Sequence, residues 1–121
     1  MITNNKSDIS FGMLKINYNS MVKNNHSELK ISQYKKYEEF FAGTVAEIDK
    51  LGYDLFVKGQ PLEGVTYGIK QKGKSHYEYP ARLAHKSVQP AEVFSNLFAE
   101  SFKAVNEKIT MTFSALGKKT R

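Results

Sequence analysis

The chain has 121 residues, 40% hydrophobic and 25% charged, with a net charge of +6. These values describe one globular domain, 1–121 with 1–8 and 114–121 as flexible ends, and exclude a disordered chain. There is no cysteine, which excludes disulfides, thiolate metal sites and a cysteine nucleophile.

In chain order, Ile9, Phe11 and Met13 alternate, then Leu14, Ile16 and Tyr18 alternate in the opposite phase. One extra residue near Gly12 accounts for the switch, so this stretch is expected to be a strand with a bulge. Asn19 to Ser27 reads as a loop. A helix is expected over 33–51, capped by Ser32, with Tyr34, Tyr37, Phe41, Val45 and Ile48 on one apolar stripe that Phe40 and Leu51 widen. Gly52 suits its termination, and Gly43 inside it offers a place for another backbone to approach.

Strand patterns follow at Tyr53–Lys58 and Val65–Lys70. Gln71–Lys74 suits a hairpin turn with Gly73 at positive φ, and the return strand carries His76, Tyr77, Glu78, Tyr79 and Arg82. Pro80 marks that strand as an edge. A second helix is expected over 90–107, opened by Pro90, with Phe94, Leu97, Phe98, Phe102 (or Ser101), Val105 and Ile109 on one face. Ile109, Met111 and Phe113 alternate with Thr110 and Thr112, which predicts a last strand.

The resulting order, β-α-β-β-β-α-β, is an α+β domain. Short connections predict a mostly antiparallel sheet with two helices on one face. The opposite face is then expected to carry Lys70, His76 and Arg82, with Lys58 beside them.

Charge is concentrated in two places. Val65 to Lys86 carries Lys70, Lys72, Lys74, Arg82 and Lys86 against Glu78, a sum of +4, and the tail adds +3 through Lys118, Lys119 and Arg121. All other residues sum to −1. Cations interleaved with aromatics suit a polyanion-binding surface. The expected nucleic-acid contacts are therefore Lys70, Lys72, Lys74, Arg82 and Lys86, with His76 and Tyr77 as stacking groups and Lys118, Lys119 and Arg121 as a basic arm. The competing account is that hairpin lysines keep an edge strand from pairing with other chains.

Catalytic patterns fail on their chemistry. His76-Tyr77-Glu78 has the His-x-Glu form of zinc deaminases but lacks the cysteine pair that completes their site. Gly59 and Gly64 have P-loop spacing, yet Val65 and Thr66 stand where Lys and Ser/Thr are required. No enzyme activity, metal or cofactor is therefore expected. The N-terminus holds no signal-like apolar core, and no apolar run approaches the ~20 residues that cross a bilayer. The expectation is a cytoplasmic protein without a membrane partner.

The run Leu51-Gly-Tyr-Asp-Leu-Phe-Val-Lys58, followed by Gly64-Val-Thr-Tyr-Gly-Ile69, resembles the small β modules that trail the nuclease domains of conjugative relaxases. No catalytic motif accompanies it and no function follows from it. The functional reading is a non-enzymatic nucleic-acid-binding protein, with a size and an Asn- and Lys-rich style that fit a phage or plasmid accessory protein. The alternative is a small protein-binding modulator, an inhibitor or adaptor that docks an acidic protein surface. A homodimer through a helix face would account for the generous number of aromatics.

Overall fold

Asn17 turns the chain from strand to helix within one residue. The computed structural model describes residues 14–73 and 81–119, with side chains through Ile109. Strand β1, Leu14–Asn17, runs directly into helix α1, Tyr18–Lys23. The Asn17 side-chain oxygen accepts from the Ser20 amide at 3.0 Å, and the Ser20 hydroxyl donates to the Asn17 carbonyl at 2.6 Å. The expected loop over Asn19–Ser27 is thus corrected to a helix as far as Lys23. Asparagine and serine read as loop residues, but here they cap, and burial of Met21 holds the turn in place. Tyr18 belongs to the helix rather than the strand, and the bulge expected near Gly12 lies outside the described residues.

The long first helix is two helices, α2 (Glu28–Phe40) and α3 (Ala42–Lys50). Ser27 caps α2, its hydroxyl accepting from the Lys30 amide at 3.2 Å. Ser32, the expected cap, instead lies inside the helix and donates back to the Leu29 carbonyl at 2.8 Å. The break falls at Phe41, with φ −97° and ψ 15°. Its ring packs against Tyr37, Phe94 and Phe98 at centroid distances of 6.0, 5.6 and 5.2 Å. Tyr34, Val45 and Ile48 are buried as expected, and Tyr37 and Phe41 pack against them. Phe40 and Leu51 do not widen that stripe: Phe40, the last residue of α2, is 75% exposed, and Leu51, just past the end of α3, is 44% exposed. Gly43 has open space where a Cβ would sit, so no backbone approaches it.

The sheet has four strands in the order β1-β2-β3-β4, with β2 at Tyr53–Gly59, β3 at Val65–Gln71 and β4 at Arg82–Ala84. Strands β2, β3 and β4 pair antiparallel, whereas β1 lies parallel to β2. Parallel neighbours require a long crossover, and α1 to α3 supply it. Tyr53, Leu55 and Val57 on β2 and Val65, Tyr67 and Ile69 on β3 are buried beneath the helices. The intervening residues form the helix-free face.

Helix α4 runs from Pro90 to Lys119 and lies over β3 and α2. The strand expected at Ile109–Phe113 is therefore corrected to helix. Val105, Ile109 and Phe113 also repeat at helical spacing. Once the packed half of a helix has formed, propagation is cheap, and β-branched residues oppose it by only about 0.7 kcal/mol each or less. Phe94, Leu97, Ser101 and Ala104 are its buried line, while Phe102 is 45% exposed.

Candidate nucleic-acid interface

Residue alternation along three strands builds the helix-free face in cross-strand rows. One row pairs Asp54 with Lys70; the next sets Lys15, Phe56 and Gly68 side by side; the third sets Asn17, Lys58, Thr66 and Leu83. Rows on one face are two residues apart, about 7 Å, and neighbouring strands are about 4.8 Å apart. Lys15, Lys58 and Lys70 thus surround Phe56. The Phe56 ring lies over Gly68, where an added Cβ would meet its Cε1 at 2.9 Å. Gly68 permits that approach because it presents no side chain to the ring.

Lys15 and Lys58 are exposed and Lys70 is half-buried. Among the described residues none of the three belongs to an ion pair. The acid on this face among the described residues, Asp54, is already engaged by the ammonium of Lys72, which also meets Asp49 at 2.5 Å. Burial works against the Lys72 charge, but the hydrogen bonds and charges of the two aspartates outweigh it and hold its pKa above the usual lysine value. Lys72 is also tied by its backbone, its amide donating to the Gly52 carbonyl at 2.8 Å. It therefore neutralises the acids at this end of the sheet, leaving the other lysines to set the sign of the face.

The remaining expected contacts are scattered. Arg82 was expected beside Lys70, but its register partner is Tyr67, so it sits on the helix side of the sheet. There its Nε donates to the Glu100 carboxylate. The physical reason is phase: buried Ala84 opposite Val65 sets the alternation of β4. Lys86 is exposed in the turn before α4, and its carbonyl accepts from Lys30 Nζ. Lys74, His76, Tyr77 and Arg121 lie outside the described residues, and Lys118 and Lys119 are known only as helical backbone. The structure thus brings Lys70 together with Lys58, which the strand alternation had singled out, and with Lys15, which it had not. Lys15 was hidden because nothing in the sequence announces the parallel pairing of β1 with β2.

At the outer edge of β1, the Tyr18 hydroxyl donates to Glu38 at 2.7 Å and Lys35 Nζ lies 5.3 Å from the Tyr18 ring centroid. Burial, then the hydrogen bond and charge of Glu38, push the Tyr18 hydroxyl far above its ordinary range. Among the described residues no three acidic or histidine side chains gather as a metal site. No helix among them is long and apolar enough to cross a membrane. The chain matches no protein-family model, no curated protein and no solved structure.

Proposed function

We propose that the chain is a non-enzymatic nucleic-acid-binding protein that receives the phosphate backbone on the helix-free face of its sheet. The observation that carries this reading is the set of Lys15, Lys58 and Lys70 on one face, with no ion-pair partner among the described residues and with the neighbouring acid neutralised by Lys72. Cations without internal partners keep their full charge for a polyanion, and a sheet with helices on one side presents the other as a platform. Lys118, Lys119 and Arg121 remain the basic arm of the same reading, offering further phosphate contacts. A phage or plasmid accessory role suits such a protein.

Fluorescence polarisation with single-stranded DNA, duplex DNA and single-stranded RNA at low and moderate salt tests this. Binding to at least one of them at low salt, weakened at moderate salt, is expected. Absence of binding to all three overturns the proposal in favour of a modulator that docks an acidic protein surface.

A further inference from the structure

The helix side of the sheet carries a second polar site. A cavity of about 270 Å³ opens between the β3–β4 pair and α4, lined by Tyr67, Arg82, Asn96, Ala99, Glu100 and Lys103. Tyr67, only 5% exposed, lines it from the sheet side. That oxygen accepts from Asn96 Nδ2 at 3.1 Å. Its own O–H proton has no acceptor among the described residues. A hydroxyl that accepts from one neighbour keeps its own O–H as a donor for a ligand in the cavity.

Two cations stand at the same opening. Arg82 gives its Nε to Glu100, which leaves the two terminal nitrogens of the guanidinium as donors. Lys103 lines the opening from one helical turn further along α4. With Glu100 counted, the lining carries one net positive charge. The donors are of three kinds, a phenol O–H, a planar guanidinium edge and an ammonium, and they come from a strand, a second strand and a helix. Such a set suits a tetrahedral oxyanion, with Arg supplying the paired donors and Lys a point charge. The cavity falls just below the range of about 300–1,000 Å³ common for drug-sized ligands, which suits a phosphate and part of the group that carries it.

We propose that this cavity is a binding site for a phosphate monoester, held by Tyr67, Arg82 and Lys103, with Asn96 orienting the Tyr67 hydroxyl. The site is separate from the lysine face, because the sheet lies between them, and it does not depend on that reading. The same chemistry is found at the phosphorylated end of a nucleic-acid strand and in small phosphorylated metabolites.

The test is an NMR titration of the ¹⁵N-labelled full chain, read at the Asn96 side-chain amide. The probes are inorganic phosphate and a 5′-phosphorylated and a 5′-hydroxyl oligonucleotide of one sequence. A saturable shift with inorganic phosphate is expected, weakened at least tenfold in Arg82→Gln and in Tyr67→Phe and unchanged in Lys50→Gln, which does not line the cavity. Arg82 is at the surface, so its variant remains informative if Tyr67→Phe disturbs the core. A 5′-phosphorylated strand that binds tenfold or more tighter than phosphate assigns the site to strand ends, and equal affinity assigns it to small phosphorylated molecules. A response that never saturates, or an Arg82→Gln variant with unchanged affinity, overturns the proposal. If single-stranded DNA, duplex DNA and RNA all fail to bind while phosphate still saturates Asn96, the lysine-face reading fails and this one stands.

Discussion

Lys72 bridges Asp49 at the end of α3 and Asp54 at the start of β2, joining helix and sheet through one ammonium. The most basic stretch of the sequence therefore spends one of its cations internally. Its side chain is 40% exposed, so the bridge ranks with surface ion pairs of about 0–1 kcal/mol.

Lys72→Gln should consequently cost up to about 1 kcal/mol of stability, and more at low salt than at high salt. It should also weaken oligonucleotide binding, through a different route from a lost phosphate contact: Asp54 becomes an uncompensated acid on the lysine face. Adding Asp54→Asn should therefore restore binding. Thermal melts and polarisation titrations of the two variants check this, and a double variant that binds no better than the single one would mean Lys72 contacts phosphate itself.

Gly59 and Gly43 should respond in opposite ways to alanine. A Cβ on Gly59 would lie 2.7 Å from Met21 Cα and 2.8 Å from Met21 N, backbone atoms that cannot rotate aside. The Gly59 amide also donates to Ser20 Oγ at 2.7 Å, so α1 must lift from β2 to make room. Gly59→Ala is expected to cost about 1–3 kcal/mol or more by overpacking. Gly43 lies in α3 with nothing within 4 Å, and Gly43→Ala should stabilise by up to about 1 kcal/mol. Denaturant melts compare them; an unaffected Gly59→Ala would contradict the close docking of α1.

Alkaline titration should separate the tyrosines. Burial, with the Glu38 contacts for Tyr18 and the neighbouring Tyr67 for Tyr34, raises both pKa values well above the ordinary one. A folded-state pKa above the unfolded one means their contribution to stability is complete below about pH 10. It is lost as the pH rises from there toward the folded values. Fewer than all seven tyrosines should therefore ionise while the protein is folded, with the rest appearing together as it unfolds. Phenolate absorbance followed alongside circular dichroism reads this. Ionisation of all seven with the fold intact would contradict the burial of Tyr18 and Tyr34.

Much of this architecture is legible in the sequence because burial is periodic. The period-two alternation of Tyr53, Leu55 and Val57, and of Val65, Tyr67 and Ile69, identifies the buried face of the sheet. The helical spacing of Phe94 and Leu97 identifies the buried line of α4. What was not legible depends on partners. Asn17 looks like a strand residue and Ser20 like a loop residue until the cap and the Gly59 contact are seen. Ile109 to Phe113 fits two periods equally, and only continuity with the packed part of α4 decides between them. The candidate face was half legible: Lys58 and Lys70 follow from alternation, whereas Lys15 requires knowing that β1 lies beside β2. Arg82 went to the wrong face because its phase is set by Ala84, on the far side of a proline-containing segment.

The central claim is that Lys15, Lys58 and Lys70 hold phosphates, and the salt dependence of affinity for a triple Lys→Gln variant tests it most directly. Each lost phosphate contact should flatten the slope of log affinity against log salt by about 0.9 on duplex or about 0.7 on a single strand. The triple variant should therefore show a slope shallower by roughly 2–3, with weaker binding at low salt and an unchanged melting profile. A slope equal to that of the wild-type protein would contradict the account.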